Sequence, residues 1–353
     1  MENAESRNRK PLLVLKVGTA SITSRDGGLD EPVLVEIARQ ISRLTASHRI
    51  VIVSSGAVAA GKRFLKDYSG LMPERKAAAA IGNPLLIQKY GQFFAPYGIS
   101  IAQSLCERQH FSQRAQFLQL RQTFETLWEN GIIPIANEND VVSNRELRFS
   151  DNDELATLIA VGFGADQLLL GTSAPGLLDA DGRLVPRIAR FDESVLALAN
   201  PKMTSGSGLG GMLSKLTFAR LATRMGIPVT IFGLREPDSI LRAARGEGGT
   251  FCDAQPCPLP ARRKWLASSS HVAARIEVDA GAAEAVQRRN SLLAVGVRQL
   301  IGHFERGEVV EIAQRGRPPF ALARVRLSSD ELAAHLGQRN FEAAHADDIV
   351  LLE

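Results

Sequence analysis

Leu12-Leu13-Val14-Leu15-Lys16-Val17-Gly18-Thr19 is the stretch on which the fold turns. Its first residues are apolar and mostly branched, the composition of a strand buried on both faces, and Gly18 supplies the turn that ends it. Strands of that kind belong to parallel sheets covered by helices. Lys16 is the anomaly. An ammonium group inside such a run costs free energy unless an anion meets it, or unless its long stem carries the charge out to solvent.

The pattern repeats along the chain. Ile50-Val51-Ile52-Val53 runs into Ser54-Ser55-Gly56-Ala57. Gly131-Ile132-Ile133-Pro134-Ile135-Ala136 runs into Asn137-Glu138-Asn139-Asp140. Asp166–Leu170 runs into Gly171-Thr172-Ser173, and Ile227–Phe232 into Gly233, while Ile99–Leu105 reads as a further strand. Between them lie helical segments. Asp30 to Ala46 has Asp30 as its cap and Leu34, Ile37, Ile41 and Leu44 on one face. Glu74–Tyr90 is expected to break near Gly82-Asn83-Pro84. Arg114–Glu129 is helical, Val141–Phe149 is read as a hairpin, and Ser150-Asp151-Asn152-Asp153-Glu154 opens another helix. This alternation predicts an α/β fold, a three-layer αβα sandwich. Small and polar turns at successive strand ends predict one ligand crevice at the carboxyl edge of the sheet. Acids at a helix start can be caps, but two acidic clusters a short way apart point to something cationic, an ammonium group or a metal.

Ser205-Gly206-Ser207-Gly208-Leu209-Gly210-Gly211-Met212-Leu213-Ser214-Lys215 is the second decisive stretch. Its glycines permit backbone dihedrals closed to other residues. Met212, Leu216, Ala219 and Met225 then continue as a helical stripe. Unpaired N–H groups and the helix dipole at such a start favour an anion, and Lys215, expected in the first turn, adds a mobile charge. The run reads as a phosphate cradle or as a plain surface loop; it is not a Walker A loop, because Met212 stands where that motif has its lysine.

With 353 residues the chain is long enough for two domains. Apolar residues make up 45% and charged residues 23%, the balance of a soluble globular protein. The three cysteines, Cys106, Cys252 and Cys257, form no disulfide framework and no zinc ligand set. The amino terminus is polar and no run is long enough to span a membrane, so a cytoplasmic protein is expected. Composition shifts to Gly, Pro and small polar residues near residue 250. The expected division is a catalytic domain over 1–258, a linker over 259–272 and a small, mostly β domain over 273–353. Strands are expected there at Arg275–Val278, Ala294–Val297, Val309–Ile312 and Phe320–Arg326, and helices at Gly281–Arg289 and Ser329–Leu336. Residues 271–353 carry ten Arg and no Lys against twelve Asp and Glu, a net charge of −2, which argues against RNA as a partner.

Taken in order, Leu15-Lys16-Val17-Gly18-Thr19, Val53-Ser54-Ser55-Gly56-Ala57, Ile135 to Asp140, Asp151-Asn152-Asp153 and Gly210-Gly211-Met212 with Lys215 resemble the glutamate 5-kinase family, a branch of the amino acid kinase family. Ile276–Ala282 and Gly302–Val309 resemble the PUA domain that such kinases often carry, which implies a small PUA-like barrel after the sandwich. The resemblance implies transfer of a phosphoryl group from ATP to the side-chain carboxylate of L-glutamate, the first step of proline synthesis. By position it implies that Ser55, Asn137, Asp140, Asp151 and Asn152 bind glutamate. Lys16, Thr172, Ser173, Leu209, Gly210, Gly211, Met212, Leu213, Ser214 and Lys215 would bind ATP. Lys16 and Lys215 would be catalytic, with Asp153 organising them. It further implies Mg2+ held mainly by nucleotide phosphates, feedback inhibition by proline, and a homo-oligomer, a tetramer or a dimer. The chemistry agrees: a carboxylate acceptor is already ionised at neutral pH and needs no general base, so charge neutralisation and positioning carry the reaction.

Three positions depart from the family pattern. Ser173 stands where aspartate is usual after threonine, Leu209 where threonine precedes Gly-Gly-Met, and Ser150 where glycine precedes Asp-Asn-Asp. The first two remove a carboxylate and a hydroxyl from the nucleotide side. Weaker ATP binding or a shifted nucleotide preference is therefore expected, with glutamate recognition kept.

Overall fold

The computed structural model describes residues 9–24, 27–142, 152–192, 194–195, 198, 209–257, 274–317 and 319–351. The chain begins with β1 (Leu12–Val17), α1 (Thr19–Ile22), α2 (Glu31–Leu44), β2 (Arg49–Ser54), α3 (Ala57–Lys62) and α4 (Met72–Phe94). Next come β3 (Ile101–Cys106), α5 (Gln109–Ser112), α6 (Arg114–Glu129), β4 (Ile133–Glu138), α7 (Asn152–Phe163) and β5 (Gln167–Thr172). The first unit closes with β6 (Arg187–Ile188), α8 (Leu209–Arg224), β7 (Val229–Gly233), α9 (Ser239–Ala244) and β8 (Thr250–Cys252).

These strands form one eight-stranded sheet in the order β3-β4-β2-β1-β5-β7-β8-β6. Every neighbouring pair is parallel except β7 with β8. All six residues of β1 are buried, as a strand with helices on both faces requires. Leu12, Val14, Val51, Val53, Leu168 and Leu170 pack with Phe117 and Phe124 of α6, Leu155 of α7 and Leu216 of α8. Leu13, Leu15, Val17, Ile50, Ile52 and Leu169 pack on the other face with Leu34 of α2, Tyr90 of α4 and Ile240 of α9. The two-residue period of β1 then places Lys16 on the face of α7 and α8.

Two local expectations are corrected. The helix α4 runs unbroken from Met72 to Phe94 with Pro84 inside it. Gly82 serves close packing there: a Cβ on it would stand 1.7 Å from the Ala57 carbonyl oxygen, and one on Gly61 would stand 1.9 Å from that of Ala78. The backbones of α3 and α4 thus touch, and that contact holds the helix through the proline. Pro84 leaves only the Ala80 carbonyl without its helical donor, and Ala80 is exposed. The expected hairpin over Val141–Phe149 begins as a turn at 141–142, and its residues 143–149 lie outside the described residues.

The carboxyl-terminal unit contains β9 (Arg275–Val278), α10 (Ala280–Gln287), β10 (Leu292–Leu293), β11 (Val297–Ile301), β12 (Val309–Gln314), β13 (Pro319–Arg324), α11 (Ser329–Ala334), β14 (Glu342–Ala344) and β15 (Ile349–Leu351). Five strands pair as β11-β9-β12-β13-β15, and β10 pairs with β14. Ile276, Val286, Phe304, Ile312 and Leu332 share one core. Ser328 and Glu331 cap α11 reciprocally. The strand expected at Ala294–Val297 is instead a 3-10 turn over Ala294–Gly296. Gly296 lies too close to Ala282 of α10 for a side chain, since its Cβ would be 2.3 Å from the Ala282 Cβ. Val309, Leu322 and Val350 join the apolar cluster of the first unit, and Gln113 donates a hydrogen bond to Glu308 at 3.3 Å. The expected linker over 259–272 lies outside the described residues.

Candidate active site

At the carboxyl edge of the sheet the polar residues of β1, β2, β4, α7 and α8 converge. Lys16 and Lys215 are 5% and 6% exposed, and Asp153 is fully buried. Lys16 Nζ lies 2.7 Å from Asp153 Oδ1, and Lys215 Nζ lies 2.9 Å from Oδ2. Each lysine holds one oxygen of the same carboxylate. The anion that the buried Lys16 required is therefore supplied by α7. A phosphate arriving beside the two ammonium groups would meet both of them in a medium that screens poorly.

The backbone around the lysines is open. A Cβ on Gly18 would stand 3.5 Å from Lys16 Nζ and 3.6 Å from the Gly171 carbonyl oxygen, and one on Gly171 would stand 2.9 Å from the Lys16 carbonyl oxygen. Glycine at both positions leaves a bare cradle at the ends of β1 and β5. Thr172 is half-buried at the end of β5 and Ser173 is exposed beyond it. The Thr172 hydroxyl accepts from the Ala174 N–H at 3.5 Å.

Helix α8 begins at Leu209, so Lys215 falls in its second turn rather than its first. Gly210 and Gly211 form the helix start, Met212 and Ser214 are half-buried, and Leu213 is exposed. Of the glycine run, 205–208 lie outside the described residues. The Lys215 ammonium also donates to the Gly211 carbonyl at 3.4 Å.

Along the same edge of the sheet is a cleft of about 440 Å³. Ser55, Asn137, Asp140 and Asn152 line it, together with Lys62 and Arg75. Asn152 donates to the Ser55 hydroxyl at 2.7 Å and to Asn137 Oδ1 at 2.9 Å. Asn137 in turn donates to Asn83 Oδ1 at 3.2 Å. The structure thus brings together every expected glutamate-binding residue except Asp151, which lies outside the described residues. The acids of the α7 start meet cations of the chain itself. Asp153 takes the two lysines, and Glu154 takes Arg108 at 2.8 and 2.9 Å.

Three residues of the site escaped the sequence reading. Asn83 sat in a tripeptide read as a helix break, and its burial is visible only once α4 is continuous. Lys62 and Arg75 have no carboxylate partner among the described residues. The signal for Lys62 was a lysine one short helix past the Ser54–Ala57 turn; nothing in the sequence marked Arg75. A cleft with Asp140 and these two cations can hold a zwitterion by both ends.

The amino acid kinase family model matches residues 11–233, and the PUA domain model matches residues 274–343. Glutamate 5-kinase of Photobacterium profundum is 37% identical over 367 aligned positions, covering 97% of this chain and 97% of that protein. Glutamate 5-kinase of Methylobacillus flagellatus is 41% identical, covering 94% of this chain and 92% of its own length. Among solved structures, a UMP kinase from Bacillus anthracis covers 70% of this chain and 98% of its own at 14% identity, with a TM-score of 0.49.

Proposed function

The chain belongs to the amino acid kinase family, and we propose that it transfers the terminal phosphoryl group of ATP to the side-chain carboxylate of L-glutamate, giving L-glutamyl 5-phosphate for proline synthesis. Near-full-length similarity to curated glutamate 5-kinases supports the substrate. The observation that carries the mechanism is the sharing of Asp153 by Lys16 and Lys215, with the preceding residue, Asn152, lining a zwitterion-sized cleft.

In this reading Asp140 meets the α-ammonium of glutamate, while Lys62 and Arg75 meet its α-carboxylate. Ser55, Asn137 and Asn152, already joined by hydrogen bonds, orient the distal carboxylate toward the lysines. Asp151, expected on the same substrate, belongs to this reading by its place in the motif. The cradle at Gly18, Gly171 and Thr172, with Ser173, Leu209, Gly210, Gly211, Met212, Leu213 and Ser214, receives the nucleotide. As the distal oxygen attacks the γ-phosphorus and the bond to ADP breaks, negative charge spreads over the equatorial and bridging oxygens. Lys16 and Lys215 stabilise that charge, and Asp153 keeps both in place beforehand, so little reorganisation is needed at the moment of transfer. No proton has to be removed from the acceptor.

Among the described residues no group of three or more His, Cys, Asp or Glu is arranged to cage a metal. Mg2+ would be held by nucleotide phosphate oxygens and water, where it screens their charge. The loss of a carboxylate at Ser173 and of a hydroxyl at Leu209 weakens ATP binding or shifts nucleotide preference; a nucleotide panel reads this directly. Feedback inhibition by proline and assembly as a tetramer or dimer belong to the same reading and rest on the family resemblance. So does a cytoplasmic setting, which the three free cysteines suit. No helix among the described residues is long and apolar enough to cross a membrane.

The test is ADP release coupled to hydroxamate formation with glutamate, N-acetylglutamate and aspartate side by side. Glutamate should be preferred and Lys215→Ala should nearly abolish product. Preference for N-acetylglutamate or aspartate would replace the substrate assignment.

A further inference from the structure

On the opposite edge of the sheet lies a second cavity, of about 280 Å³, lined by Arg190, Phe191, Arg220, Thr223, Arg224 and Gln255. Its position follows from the topology. Strand β8 runs antiparallel to β7 and parallel to β6, so the residues that follow β6 and β8, Arg190 and Gln255 among them, emerge at the amino edge. Helix α8 starts at the carboxyl edge, where Lys215 meets Asp153, and ends with Arg224 at the other. At the α-helical rise Lys215 and Arg224 are separated by about 13 Å along the axis.

Several arginines elsewhere in this unit are paired with carboxylates. Arg187 grips Asp253 through two bonds of 2.8 Å, Arg235 meets Asp30 at 2.8 Å, Arg245 meets Glu247 at 3.1 Å and Arg108 meets Glu154. Arg190, Arg220 and Arg224 have no carboxylate partner among the described residues. Arg224 is accounted for in part by its place in the last turn of α8, where a cation suits the helix dipole. That reason does not extend to Arg190, which follows β6, and it does not explain why three guanidinium groups border one hollow. The rim is held in shape: Gln255 donates from its side chain to the Ala189 carbonyl at 2.8 Å and from its backbone to the Thr223 carbonyl at 2.8 Å. The Thr223 hydroxyl donates to the Arg220 carbonyl at 3.0 Å. Among the described residues no acid lines the cavity.

We propose that this cavity binds a compact polyanion, a polyphosphate or a polycarboxylate, between Arg190, Arg220 and Arg224, at a site separate from the catalytic cleft. Guanidinium groups chelate both kinds of anion through paired N–H donors, and the cavity is large enough for a pyrophosphate-sized or citrate-sized ligand but too small for a whole nucleotide with its base enclosed. Like-charged side chains gathered at one hollow repel one another; such a ligand removes that repulsion.

The test uses the full chain and radiolabelled pyrophosphate in equilibrium dialysis. Two classes of site are expected. Lys215→Ala should remove the class at the catalytic cleft. The combined variant Arg190→Gln, Arg220→Gln, Arg224→Gln should weaken the other at least about tenfold, given the strength of charge-assisted hydrogen bonds. That variant should keep the turnover of the parent protein measured without added polyanion. Raising the salt concentration should weaken the same class, because the arginines are exposed. Unlabelled citrate that displaces pyrophosphate from it would identify a polycarboxylate as an acceptable source; failure to displace would restrict the site to phosphates. A single class of site abolished by Lys215→Ala, or equal binding by the triple-arginine variant, overturns the proposal. So does retention there of a short RNA in place of pyrophosphate.

Discussion

Lys16 and Lys215 meet on opposite oxygens of the Asp153 carboxylate, at 2.7 and 2.9 Å. One comes from the central strand and the other from a helix that packs against α7 and β7. Neither ammonium group could be buried alone, and the carboxylate that makes their burial tolerable also sets the gap between them.

Asp153→Asn keeps the shape of the side chain and removes its charge. Turnover should fall on the order of 100-fold or more, since the lysines lose the group that positions them. Asp153→Ala should also destabilise the fold, by about 3–5 kcal/mol, because two buried cations are left without their anion. Steady-state kinetics and urea unfolding of both variants check this; Asp153→Asn turnover within threefold of the parent would refute it.

Asn83→Ala removes the acceptor that Asn137 uses at 3.2 Å inside the protein. A buried amide left unpaired costs about 1–3 kcal/mol. If that cost falls on the glutamate side, KM for glutamate rises about tenfold while KM for ATP stays near its parent value. Equal change in both constants would place Asn83 outside glutamate recognition.

Gly82→Ala should be among the most damaging single-methyl additions in the chain. The new Cβ would stand 1.7 Å from the Ala57 carbonyl oxygen, so α3 and α4 must separate. A loss of about 3 kcal/mol or more is expected. Gly91→Ala, on the same helix with its nearest neighbour 4.0 Å away, should be neutral or slightly stabilising, as alanine is the better helix former. Thermal unfolding of the two variants gives the comparison.

His110 lies on α5, and burial pushes its pKa below the ordinary 6.5. Its Nδ1 accepts from the Glu107 N–H at 3.0 Å, which only the unprotonated nitrogen can do. As pH falls below 6.5 the unfolded chain takes a proton that the folded chain resists. This contribution to stability is therefore present above 6.5 and lost as pH falls through the depressed folded value. Urea midpoints at pH 7.5 and 5.5 should differ more for the parent than for His110→Asn, whose side-chain oxygen can replace Nδ1 without titrating. Identical pH slopes would exclude His110 as a source.

Much of the fold was legible in the residues themselves. Buried strands such as Leu12–Val17 and Ile50–Val53 are recorded in local composition, and the capped stripe of α2 in local spacing, because burial on one or two faces must be written into every segment that undergoes it. The glycine and polar turns likewise marked the edge at which the candidate cleft lies. Only the tertiary structure decided which groups meet. That Asp153 belongs to two lysines and Glu154 to Arg108, that Asn83 supports Asn137, and that Gly82 admits a neighbouring backbone are consequences of helix placement across the sheet. Such contacts join residues far apart in the chain. A side chain's local sequence states its own preference for burial or charge, but the partner that satisfies it is set by packing geometry.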